Sequence, residues 1–147
     1  MAKFLVAFSS RTGHTEKVAG YLAEGIRMSG NEVDIKNITD ISDPQEIADY
    51  AGYALGCPTY HRDMTGGMKQ FLFKLENLNL TGKFGAAFGS YTHSGDAPGF
   101  VFDTMQHVFK MDMTDLGSLN VIESTIETSD GIKAAQDYGR AFGSKAG

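Results

Sequence analysis

The sequence predicts an α/β three-layer sandwich: a five-stranded parallel sheet with helices packed on both faces. Three observations carry this. Short apolar runs such as Phe4-Leu5-Val6-Ala7-Phe8, Tyr53-Ala54-Leu55-Gly56-Cys57 and Phe84-Gly85-Ala86-Ala87-Phe88 recur along the chain. Between them lie segments whose apolar residues fall at helical spacing, so strand and helix alternate throughout. Strands that are apolar on both faces belong to parallel sheets covered on both sides. Finally, the residues after the first, third and fourth runs are polar and rich in hydroxyls and glycine. They stand where such sheets hold ligands, beyond the carboxyl ends of the strands.

The elements follow in order. After the first strand, Val18, Leu22, Gly25 and Ile26 form the apolar face of a helix, with Tyr21 beside it. Met28-Ser29-Gly30 ends that helix, with Gly30 at the C′ position. Val33 and Ile35 alternate with Asp34 and Lys36, which suits a strand with one wetter face. Asp43-Pro44 starts a short second helix, Asp43 as its cap and Pro44 at its first position. The strand Tyr53–Cys57 is stopped by Pro58. Met68, Phe71, Leu72 and Leu75 mark the third helix. The strand Phe84–Phe88 leads into a polar loop from Gly89 to Pro98, and Phe102, Met105, Val108 and Phe109 mark a fourth helix. Leu119-Asn120-Val121-Ile122 is the fifth strand, with no insertion expected in it. Ile132, Ala135, Gly139 and Phe142 mark the last helix, capped by Ser129 or Asp130. The residues from Gly143 to Gly147 read as a frayed tail. The chain, residues 1–147, reads as a single domain.

With strand order 2-1-3-4-5, the first and third strands are neighbours across the switch point, and one ligand could touch three loops. The first, Ser9–Thr15, joins a strand to a helix N-terminus. Its free backbone N–H groups and the helix dipole favour an anion. Ser10, Thr12 and Thr15 add hydroxyls, while Gly13 and His14 add backbone N–H groups. No lysine invades the loop, which suits a phosphate monoester better than a nucleoside triphosphate. The second loop begins Cys57-Pro58-Thr59-Tyr60-His61 and the third Gly89-Ser90-Tyr91-Thr92-His93-Ser94-Gly95-Asp96. Each sets a tyrosine about two residues beyond its strand. Two rings and exposed backbone donors suit a flat heteroaromatic ring. A phosphate at one end and such a ring at the other describe FMN.

The same residues resemble the flavodoxin family, and the likeness spans the whole chain. Ser10-x-Thr12-Gly13-x-Thr15 resembles the flavodoxin phosphate loop, and Gly56-Cys57-Pro58-Thr59-Tyr60 the second flavin loop. The stretch from Phe88 to Gly95 is similar to the third loop in the flavodoxin domain of flavodiiron proteins. The resemblance implies a flavodoxin-like sandwich in which Ser10, Thr12 and Thr15, with Arg11, Gly13 and His14, hold the FMN phosphate. It implies that Pro58, Thr59, Tyr60, His61, Ser90, Tyr91, Thr92, Gly95 and Asp96 surround the ring and ribityl chain. The implied role is an electron carrier between redox partner proteins, with a reductase or ferredoxin-type donor. The alternative is an FMN-dependent enzyme, because Pro58-Thr59 with Met64, Gly66, Met68 and Lys69 is similar to flavodoxin-like NAD(P)H:quinone reductases. Flavodoxins usually carry a glycine in the second loop that lets a peptide flip and favours the semiquinone. Tyr60-His61-Arg62-Asp63 has none, so little neutral semiquinone is expected.

Composition sets outer bounds. A net charge of −5 with no Lys/Arg cluster opposes nucleic-acid binding. No apolar run is long enough for a membrane span, and Met1-Ala2-Lys3 runs straight into a strand, so no signal peptide or membrane insertion is expected. The lone Cys57 cannot form an internal disulfide and reads as a packing residue. A cytoplasmic monomer is the default expectation. Receiver domains, tyrosine phosphatases, P-loop triphosphatases and dinucleotide-binding Rossmann domains fit poorly, for want of acidic, cysteine, Gly-Lys-Ser/Thr and Gly-x-Gly-x-x-Gly signatures respectively.

Overall fold

The computed structural model describes residues 2–10, 12–59 and 62–146. The strands β1 (Lys3–Phe8), β2 (Glu32–Asn37), β3 (Gly52–Gly56), β4 (Phe84–Tyr91), β5 (Asp112–Met113) and β6 (Leu119–Ile122) form one sheet. The order is β2-β1-β3-β4-β5, every pairing is parallel, and β6 also pairs with β4. The anticipated fifth strand, Leu119–Ile122, is present as β6, and the sequence reading did not name the two-residue strand β5. Asp112–Met113 pairs with the start of β4 and Leu119–Ile122 with its end. Residues 114–118 leave the ladder between β5 and β6, and Leu119–Ile122 itself is uninterrupted, as expected.

Helices α1 (His14–Met28), α2 (Gly66–Leu75), α3 (Asp96–His107) and α4 (Ser129–Gly143) cover the sheet. On one face α1 and α4 pack Val18, Leu22, Ile26, Ala135 and Phe142 against Phe4, Val6 and Phe88. On the other, α2 and α3 pack Met68, Phe71, Leu75, Val101 and Met105 against Leu5, Ala7, Tyr53 and Leu55. Both faces of β1 and β3 are thus buried, which explains their unbroken apolar runs. Each large side chain buried there contributes about 1.5–3 kcal/mol.

Two glycines on the anticipated apolar faces have a specific job. A Cβ on Gly139 would strike the Leu22 carbonyl oxygen, and one on Gly25 the Gln136 carbonyl oxygen. Their absence lets the α1 and α4 backbones touch.

Several boundaries differ from the sequence reading. The second helix is only a 3-10 turn, Pro44–Ile47, though Asp43 caps it and forms a capping box with Glu46. β4 continues to Tyr91, so the anticipated Gly89–Pro98 loop shrinks to residues 92–95 and Pro98 lies inside α3. Val108 is 56% exposed, and the buried position on that face is Val101 instead. Thr128, not Ser129 or Asp130, caps α4 by accepting from the Gly131 N–H at 3.1 Å. The tail is tied down: Gly143 belongs to α4 and accepts from Asn31, and Lys145 pairs with Asp112 and lies over the Phe84 ring. Gly30 does end α1 with φ +91°, at C′ beyond the Ser29 cap.

Candidate functional site

The carboxyl ends of β1, β3 and β4 lie side by side, and their following segments meet through hydroxyl contacts. Ser9 continues β1, donating its N–H to the Gly56 carbonyl of β3. Its hydroxyl lies 3.0 Å from that of Thr65, the residue that caps α2. Ser10 accepts the Gly13 N–H at 3.0 Å, which folds the loop back on itself. Gly13 then takes φ +88°, a conformation open to glycine at little cost, and a Cβ there would point into open space.

The start of α1 differs from those of α2 and α4. Thr65 caps α2 and Thr128 caps α4, each with its own hydroxyl. Gly13, the N-cap of α1, offers no side-chain acceptor. The first-turn N–H groups of α1 therefore have no side-chain cap from the N-cap residue. Thr12 is exposed, and its hydroxyl lies 2.7 Å from His14 Nδ1. Glu123 Oε1, just beyond β6, stands 3.3 Å from the same nitrogen.

Thr15 and Ser90 are each 1% exposed, with their hydroxyls 2.9 Å apart. Ser90 thus touches the first turn of α1, which follows the first loop. Ser90 also accepts the Thr59 N–H through its carbonyl, at 3.4 Å. Thr59 in turn accepts the Ala97 N–H at 3.0 Å, capping α3 from a different loop because the α3 N-cap, Gly95, carries no acceptor.

Tyr91 is the last residue of β4 rather than a loop residue, and it is half-buried beside Gly95. Pro58 is buried under the second loop, whereas Thr92 is exposed. Asp96 opens α3 and accepts from Arg62 Nε at 3.4 Å, joining the second and third segments. Nearby, Lys69 Nζ at 2.5 Å and the Met64 N–H hold the Asp63 carboxyl below its ordinary range. Arg11, Tyr60 and His61, also anticipated as site residues, lie outside the described residues.

Cys57 is fully buried at the end of β3, and burial pushes its thiol up to about 11. That suits packing and opposes thiolate chemistry. Among the described residues no group of His, Cys, Asp and Glu side chains could hold a metal ion. No helix among them is long and apolar enough to cross a membrane.

Sequence reasoning missed Ser9, Thr65 and Glu123. Ser9 sits inside the recognised loop and was within reach. Thr65 and Glu123 enter only through tertiary placement.

Comparison with known proteins agrees with this geometry. The family model described as Flavodoxin matches residues 6–131. A flavodoxin of Clostridium saccharobutylicum is 38% identical over 89 residues, which is 60% of this chain and 55% of that protein. The chain thus spans little more than half the length of that relative. A solved flavodoxin from the domain Archaea superposes with a TM-score of 0.89 at 27% identity, covering 97% of each chain. The flavodiiron protein of Giardia intestinalis superposes with a TM-score of 0.86 at 25% identity, over 98% of this chain and 36% of that one. The three-layer sandwich with parallel strand order β2-β1-β3-β4-β5 defines an α/β protein of the doubly wound class. Within that class, the chain belongs to the flavodoxin family, whose cofactor is FMN.

Proposed function

We propose that this chain is an electron carrier that holds one FMN and passes electrons between redox partner proteins. The observation that supports it most is the position of Ser90. Its hydroxyl touches Thr15 of the first loop, and its carbonyl takes the N–H of Thr59 from the second. One cofactor laid across that junction meets all three segments.

In this reading Ser10, Thr12 and Thr15 hold the phosphate with the backbone N–H groups of Arg11, Gly13 and His14. Pro58, Thr59, Tyr60 and His61 flank the ring on one side, and Ser90, Tyr91, Thr92, Gly95 and Asp96 on the other. The bound flavin supplies the redox chemistry; the protein contributes binding, orientation and electrostatics. The chain's charge of −5 disfavours further negative charge on the cofactor and suits basic docking partners.

The test is reconstitution. Protein stripped of small molecules takes up one equivalent of FMN and quenches its fluorescence; no uptake overturns the proposal. A second measurement separates a carrier from a reductase. NADH or NADPH alone leaves the bound flavin oxidised, whereas a reductase or ferredoxin-type donor bleaches it. Bleaching by the nicotinamide alone within seconds replaces this reading with the quinone-reductase one.

A further inference from the structure

We propose that Glu123 and His14 form a positioning pair that turns the Thr12 hydroxyl into a hydrogen-bond donor toward the FMN phosphate. The proposal rests on the FMN reading above. A single ring nitrogen carries it: His14 Nδ1 lies 2.7 Å from Thr12 Oγ1 and 3.3 Å from Glu123 Oε1.

The two tautomers of a neutral His14 have opposite consequences for Thr12. If Nδ1 is bare, it accepts the Thr12 hydroxyl hydrogen, and Thr12 has no hydrogen left for a phosphate. If Nδ1 carries the hydrogen, it donates to Thr12 Oγ1, and the Thr12 hydroxyl hydrogen is free to turn outward. Glu123 decides between them. A bare Nδ1 would set its lone pair against a carboxylate 3.3 Å away, whereas Nδ1–H meets that carboxylate attractively. The carboxylate therefore selects the tautomer that releases Thr12.

Glu123 is held in place on both sides. It follows Ile122, which pairs with Tyr91 at the end of β4. Four residues on, Glu127 accepts from Tyr21 Oη at 2.8 Å and pairs with Lys17 Nζ at 3.6 Å. His14, Lys17 and Tyr21 lie on one stripe of α1, so the segment from 123 to 127 is fastened along that helix. The side chains of His14 and Glu123 are 37% and 28% exposed, which leaves the pair within reach of a ligand in the loop.

The sign of one substitution tests the pair. Removing a negative charge beside a phosphate should by itself tighten FMN. If Glu123 positions Thr12, Glu123→Gln instead weakens FMN binding about tenfold, or about 1.4 kcal/mol. Riboflavin, which lacks the phosphate, stays within about twofold of the unaltered protein. In the Thr12→Ala background Glu123→Gln no longer weakens FMN: the double variant binds as tightly as Thr12→Ala or tighter, because the positioning effect acts only through Thr12 and only the removed charge remains. His14→Asn, which can return an N–H at this place, retains FMN affinity better than His14→Ala. FMN binding by Glu123→Gln that is unchanged or tighter, or an equal loss for riboflavin, overturns the proposal.

A second readout needs no flavin. Nitrogen-15 spectra of the apoprotein in mildly alkaline buffer show the Nδ1–H tautomer for His14, and the Nε2–H tautomer in Glu123→Gln. The same tautomer in both overturns the pair. Failure of the unaltered protein to bind any FMN would defeat the functional reading, and the spectra would still judge the pair.

Discussion

The hydroxyl of Thr15, on the first turn of α1, lies 2.9 Å from the hydroxyl of Ser90 on β4, with both residues buried. The bond spans 75 positions of sequence and closes the junction of two site segments. Ser90→Ala leaves the Thr15 hydroxyl buried without this partner, so it should destabilise the apoprotein by about 1–3 kcal/mol. Thr15→Val should do the same. Combining them should cost clearly less than the sum, since each already removes the bond. Urea unfolding of the four proteins measures this; strict additivity would show that the hydroxyls do not interact.

The closeness of α1 to α4 makes two glycine replacements differ in sign. Gly139→Ala drives a methyl into the Leu22 carbonyl and should destabilise by about 1–3 kcal/mol through forced separation of the helices. Gly20, in the middle of α1, has nothing near its would-be Cβ. Gly20→Ala should stabilise by about 0.5–1 kcal/mol, because glycine loses more backbone entropy on folding. Thermal melts of both variants against the parent check the pair of signs.

These residues also show where the sequence was readable. β1, β3 and α2 stood out because each is buried on the surfaces its pattern announces: unbroken apolar runs for strands covered twice, and an i, i+3, i+4, i+7 stripe for a helix covered once. The strand–loop–helix junction at residues 9–15 was legible because its pattern is local. Tyr138 was not singled out, although it falls on the stripe of Ala135, Gly139 and Phe142. Its hydroxyl donates to the Gly117 carbonyl at 2.5 Å, with the Ala87 carbonyl oxygen 3.2 Å away, and so pins the segment between β5 and β6. Nothing local marks a tyrosine as such a pin. The sequence places the α4 cap at Ser129 or Asp130, one or two residues beyond Thr128, because all three are suitable caps in a row and only the fold chooses among them. Glu123 was invisible for a stronger reason. Its partner lies more than a hundred residues away, and a lone glutamate after a strand carries no signal.

Cys57 gives a pH dependence of definite sign. Burial raises its thiol from 9.0 to about 11. A group raised in the folded state contributes its stability below the unfolded value and loses it as pH rises through the folded one. Stability should therefore fall between about pH 9 and 11 by roughly 3 kcal/mol from this residue. Buried tyrosines add losses in the same direction, so the comparison is with Cys57→Ala, in which the thiol contribution vanishes and the others remain. The expected result is a shallower alkaline decline for Cys57→Ala in urea titrations at several pH values. Disulfide reagents should react with Cys57 only at the rate of unfolding.

The last prediction concerns the second loop, where the sequence carries no glycine from Tyr60 to Asp63. Arg62 adopts φ +63°, so left-handed backbone already exists there at a non-glycine residue. An L-residue in that region costs about 1–2 kcal/mol relative to its preferred backbone. Arg62 Nε at 3.4 Å from Asp96 offsets only part of this, because the arginine side chain is 82% exposed. A further peptide flip between non-glycine residues would add a second cost of the same kind. Reductive titration of the FMN-loaded protein should therefore pass from oxidised to fully reduced flavin with little neutral-radical absorbance at long wavelength. Arg62→Gly removes the steric cost at the residue that already bears it, and should increase that band. A large, stable long-wavelength band in the unaltered protein would show that the backbone of this loop flips freely without glycine.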